Sequence, residues 1–166
     1  MRTVALAAVI FFTLNGAVLA AEPTWAALNV KVIEMFQKKE YTKAIPVAQK
    51  ARDAAESEYG ADSRESILAM NNLAMLYKKT DKLSAAGPLY KKALTASEKL
   101  YGAENPDLAL PLNNLAMFYN EQKDYKKADE YSQRAIAILE KAYGAKHALS
   151  LQAREPYNAM KKARTK

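Results

Sequence analysis

A chain of 166 residues with 50% hydrophobic and 26% charged residues has room for one packed domain and too much apolar content for a disordered one. It has no cysteine and one histidine, His147, which excludes a disulfide scaffold and metal sites built on thiolate or histidine clusters. The formal charge of +7 sits largely at the ends, in Arg2 and in Lys161, Lys162, Arg164 and Lys166, so the body is nearly balanced and offers no basic footprint for nucleic acid.

In chain order, the first segment stands apart. Arg2 is followed by an apolar run from Val4 to Leu14, too short to span a bilayer comfortably. Val18-Leu19-Ala20 then supplies the short side chains of a cleavage site. Residues 1–20 read as a secretory signal peptide cut after Ala20, with an uncleaved anchor as the alternative. The expected location is the periplasm or the medium, with no membrane span after cleavage.

A period governs the rest, residues 21–160. Tyr59-Gly60-Ala61, Tyr101-Gly102-Ala103 and Tyr143-Gly144-Ala145 recur at 42-residue intervals, as do Ala44, Ala86 and Ala128, and Ala51, Ala93 and Ala135. The heptapeptide NNLAMLY, from Asn71 to Tyr77, returns as NNLAMFY from Asn113 to Tyr119. Small residues and helix stops in one register point to stacked helical hairpins rather than to a bundle with chance periodicity. The units span about 25–62, 63–104 and 105–146.

In the second unit, Ser63 to Lys79 lacks glycine and proline, and Met70, Leu73, Ala74 and Tyr77 form one helical stripe. Thr80-Asp81-Lys82 interrupts it, Leu83 to Tyr101 resumes it, and Gly102 is expected to end it as a left-handed cap. Asp62 and Glu65 have capping-box spacing, and Asn105-Pro106-Asp107 starts the third unit with a cap, a proline and an acid. Pro46 and Pro88 fall within the first two turns of second helices, where a mild bend is expected. After the third unit, Pro156 interrupts what would be a fourth first helix. A short capping helix, about Ala148 to Arg154 within 147–160, is expected, then a solvated basic tail over 161–166.

The stretch LAMNNLAMLYKKTDKLSAAGPLYKKALTASEKLYGAENPDLA resembles a tetratricopeptide repeat of the 42-residue kind found in kinesin light chains. Leu73, Ala74, Tyr77, Ala86, Tyr90 and Ala93 match its small and large core positions, and Leu115, Ala116, Tyr119, Ala128 and Ala135 match in the third unit, where Ser132 replaces an aromatic. The first unit departs at Lys31, Val32 and Met35. The resemblance implies an all-α, right-handed α-solenoid of three helical hairpins plus a C-terminal capping helix. It also implies binding of a partner protein or peptide.

Placed at about 100° per residue, the side of each first helix opposite the core stripe holds Leu68, Asn72, Met75 and Lys79 in the second unit. In the third it holds Leu110, Asn114, Met117 and Glu121, and in the first Ala26, Val30, Ile33 and Gln37. Asn71 and Asn113 flank it. Methionine adapts to varied side chains and asparagine offers both donor and acceptor to a peptide backbone. Asn71, Asn72, Met75, Lys79, Asn113, Asn114, Met117 and Ile33 are therefore the candidate groove residues. The alternative is that Asn71 and Asn113 bond neighbouring helices, and that Met75 and Met117 pack between them. No lysine set for clamping a terminal carboxylate is present.

No nucleophile–base motif, phosphate-binding glycine loop or metal set is visible, so no catalytic residue and no cofactor are expected. The reading is an exported binding module, monomeric or weakly self-associating. The alternatives are a self-assembling scaffold and, remotely, a small helical hydrolase.

Overall fold

The computed structural model describes residues 23–164. The expected signal peptide lies outside them, as do the last two residues. Seven helices follow in order: α1 (Trp25–Gln37), α2 (Tyr41–Tyr59), α3 (Arg64–Lys79), α4 (Leu83–Tyr101), α5 (Ala109–Glu121), α6 (Tyr125–Tyr143) and α7 (Ala148–Arg164). A 3-10 turn, Pro106–Leu108, precedes α5. Its tightness follows from Pro111, which lacks the N–H that would bond the Asp107 carbonyl and crowds it sterically.

The helices pair as α1–α2, α3–α4 and α5–α6. The pairs stack in one direction, because α2 packs on α3 and α4 on α5. Alanines at the shared register let the partners approach: Ala44, Ala86, Ala128, Ala93 and Ala135 are fully buried, and Ala51 nearly so. Large side chains fill the space between, with Leu73 and Leu76 closing the first pair and Tyr90, Leu112 and Leu115 the next. This is an α-solenoid, as the 42-residue period predicts.

Both kinds of turn repeat. Within each pair, Lys39, Asp81 and Lys123 take φ of 59°, 60° and 59°. The next amide bonds back across the turn: Glu40 to the Met35 carbonyl, Lys82 to Tyr77 and Asp124 to Tyr119, at 2.8–3.0 Å. These are Schellman caps built without glycine. The left-handed cap expected at Gly102 is therefore here instead. Gly102 does have positive φ (89°), but its ψ of 154° is extended. Gly60 and Gly144 share that conformation, which side chains rarely adopt.

Two smaller expectations are corrected. Ser63, not Asp62, caps α3, its Oγ accepting from Ser66 N–H at 3.1 Å, while Asp62 pairs with Lys99 at 3.2 Å. Helix α7 does not stop near Arg154 but runs through Pro156 to Arg164, taking Lys161, Lys162 and Arg164 out of the expected tail. Burial of Ser150, Ala153 and Met160 against the third pair holds it beyond the proline. At its far end, Arg164 donates to Asn120 Oδ1 (3.0 Å) and Asp129 Oδ1 (2.7 Å) and covers the Tyr125 ring at 4.5 Å. Where α3 and α5 present Met70, Leu73, Ala74 and Tyr77 or their equivalents to a second helix, α7 carries Arg154, Tyr157, Asn158 and Lys161. That face is polar apart from Leu151, 49% exposed, which stands where Ile67 packs on α4, so a further second helix would find little apolar seat on it.

Candidate binding trough

The first helices approach one another closely in sequence, α1 to α3, α3 to α5 and α5 to α7, whereas the backbones of α2, α4 and α6 stand further apart, Arg134 of α6 reaching Glu98 of α4 only through its long side chain. A stack joined closely along one side and spread along the other must curve. The first helices therefore line its inner face.

Asparagines make that close side. Asn72 Nδ2 donates to Asn29 Oδ1 at 3.0 Å, and Asn114 Nδ2 donates to Asn71 Oδ1 at 3.1 Å. Each bond joins one first helix to the next, 43 residues on. Asn71 also donates to the Ile67 carbonyl at 3.0 Å and is only 6% exposed. Of the two readings the sequence leaves open for it, a bond between neighbouring helices is the one observed: Asn71 is a buried inter-helix link whose amide spans the seam between α3 and α5. Lys78 crosses the same seam to Glu121 at 2.9 Å, with 9% of its side chain exposed.

Asn72 and Asn114 stand half-buried. Each uses one N–H on the seam, which leaves a carbonyl oxygen and a second N–H. The ladder ends at α7, where Pro156 occupies the place that would donate to Asn113. Asn113 is left with no hydrogen-bond partner among the described residues.

Two hollows open along the inner face. The first, of about 260 Å³, lies between α1 and α3 and is lined by Ile33, Phe36, Gln37, Asn72 and Met75, with Val32 at its floor. The second, of about 550 Å³, lies between the N-terminal halves of α3, α5 and α7, with the C-terminal ends of α4 and α6 as a side wall. Leu68, Leu110, Asn113, Tyr101 and Tyr143 are among its walls. Of the eight sequence candidates, Ile33, Asn72 and Met75 thus share one hollow, and Asn71 and Asn113 border the other. Lys79, Asn114 and Met117 line neither: Lys79 is exposed, and Met117 is 42% exposed.

Sequence reasoning missed Tyr101 and Tyr143. They served there only as landmarks before the repeated glycines. The signal available was an aromatic side chain repeated in register just ahead of a turn.

A family model described as tetratricopeptide repeat matches residues 25–99, 67–141 and 107–155 in three overlapping placements. This chain belongs to the tetratricopeptide repeat family. Among solved structures, the crystal structure of BtubC (BKLC) from P. vanneervenii is similar at 23% identity and a TM-score of 0.74, over 85% of this chain and 56% of that one. A Podosopora anserina putative kinesin light chain with nearly identical TPR-like repeats is similar at 15% identity and a TM-score of 0.72, over 84% and 66%. At these identities the likeness is one of fold, and this chain spans little more than half to two thirds of those lengths. No curated protein matches it. Tetratricopeptide folds generally mediate protein–protein interaction or scaffolding. No helix among the described residues is long and apolar enough to cross a membrane, and no cluster there could hold a metal ion.

Proposed function

We propose that this tetratricopeptide repeat protein is an exported, non-enzymatic binding module that holds a segment of a partner protein along the inner face of its first helices. The observation that carries the reading is the pair of hollows on that face. Their walls are apolar side chains, which gain by being covered, and amides with bonding capacity left over, which fix orientation. Ile33, Asn72 and Met75 hold the partner at one end, and Leu110 and Asn113 at the other. Met117 and Lys79, exposed on α5 and α3, add to the surface that a longer segment would cover. Export rests on the character of residues 1–20, with cleavage after Ala20.

The test uses substitutions outside the asparagine seam, so that the fold is kept. Met75→Glu and Leu110→Glu place a charge in each hollow, and Lys92→Glu serves as control on the exposed side of α4. A partner crosslinked to the wild type in its native host should be lost from both hollow variants by about tenfold or more and retained by the control. Retention of every specific partner by both variants contradicts the reading. Export is tested separately by cell fractionation and by sequencing the mature N-terminus, which should begin at Ala21.

Self-assembly by end-to-end stacking has less to rest on. It needs an apolar end, and the outer face of α7 is polar apart from Leu151.

A further inference from the structure

The larger hollow repeats itself. Leu68 and Leu110 occupy the same register on α3 and α5, and Tyr101 and Tyr143 the same register at the ends of α4 and α6. Leucine faces tyrosine twice, one repeat apart. Packed helices lie about 8–10 Å apart, so a chain crossing the first helices meets an equivalent site at that interval. An extended β-strand returns a side chain to the same face every two residues, or about 7 Å, and falls out of step. A polyproline II helix returns every three residues, or about 9.3 Å, and stays in step.

Two further features fit that conformer. Polyproline II has no internal hydrogen bonds, so its carbonyls need outside donors. Asn113, left unpaired by Pro156, offers an amide N–H at the hollow's wall. Charge points the same way. Among the described residues, Arg64 and Asp107 are the only charged side chains lining the hollow, one of each sign, so these give it no net charge to match a charged ligand. We infer that this hollow is a docking site for an uncharged, proline-rich segment of a partner protein in the polyproline II conformation, seated between Leu68–Leu110 and Tyr101–Tyr143. This deepens the trough reading and rests on it. Proline-rich segments suit such grooves because their conformation is already ordered before binding.

The experiment titrates the full-length chain with N-acetylated, C-amidated decaproline, and with a capped glycine–serine decamer and a capped valine–threonine decamer of equal length, by calorimetry. Decaproline should bind at least about tenfold more tightly than either control. Tyr143→Ala and Leu110→Glu should each weaken it about tenfold, and Lys92→Glu, on the exposed side of α4, should leave it unchanged. Leu110 is 61% exposed and Tyr143 is also solvent-accessible, so neither change removes core, and thermal melts of the variants check this. No decaproline binding at millimolar concentration overturns the inference. So does equal binding of the controls, or binding that both hollow variants leave intact. A partner still lost on Met75→Glu would then show that the trough reading stands without the polyproline site.

Discussion

Asn71 illustrates how one side chain can serve two helices. Its amide accepts from Asn114 across the seam and donates to its own helix at Ile67. Replacement by alanine strands the Asn114 donor and removes a buried bond, so Asn71→Ala should cost about 1–3 kcal/mol in urea unfolding. Asn114→Ala, at a half-exposed site, should cost less. Equal small losses would contradict the seam. A second residue-scale test concerns Gly87. A Cβ there would stand 2.9 Å from Phe118 Cζ. One repeat earlier the equivalent positions hold Ile45 and Leu76, both buried in one cluster. The repeats thus trade volume across the junction, isoleucine with leucine in one and glycine with phenylalanine in the next. Gly87→Ala should destabilise by about 1–3 kcal/mol, and Phe118→Leu in the same chain should recover part of that loss, measured as a double-mutant cycle. The asparagine repeat was plain in the sequence, but its use was not. Helical phase places a residue on a face, whereas the bonds of Asn71 depend on which neighbour arrives 43 residues later.

Among elements, α7 departs most from expectation. Sequence alone stops a helix near a proline, because the missing N–H and ring clash cost about 3 kcal/mol in a helix interior. Tertiary contacts override that here, with Met160 buried and Arg164 anchored to Asn120 and Asp129. Asparagine at this position would restore the helix bond and supply the donor that Asn113 lacks. Pro156→Asn should therefore raise stability by about 1–3 kcal/mol, read as a higher urea midpoint at unchanged slope. An unchanged or lower midpoint would contradict both the strain and the ladder. The hairpins themselves were legible, since glycine, proline and alanine recur in register with apolar stripes. The left-handed turn residues were less so, because Lys39 and Lys123 carry no propensity signal for φ near 60° and Asp81 only a weak one.

Over the whole molecule, titration should leave a broad stable range with an alkaline edge. Burial, aided by the charge of Glu121, pushes the Tyr90 hydroxyl well above the ordinary value of 10.0. Burial also raises Tyr131, and their carboxylate partners raise Lys127 and Lys141. A folded-state pKa raised above the unfolded one gives stability that is complete below the unfolded value and lost as pH climbs past it. Unfolding midpoints should thus fall above about pH 10, and less steeply in Tyr90→Phe. On the acid side, hydrogen bonds from Lys141 and Lys127 hold Glu104 and Asp124 below the usual carboxylate range. Their contribution is lost only as pH falls through those lowered values.

The curvature that brings first helices together also decides where a partner can lie. The direct measurement is an amide and methyl NMR shift map of the chain with its crosslinked partner segment added. Shifts should concentrate on Ile33, Met75, Leu110 and Asn113 and spare Lys92 and Thr95 on the exposed side of α4. Shifts centred on α4 with the inner face silent would contradict the account.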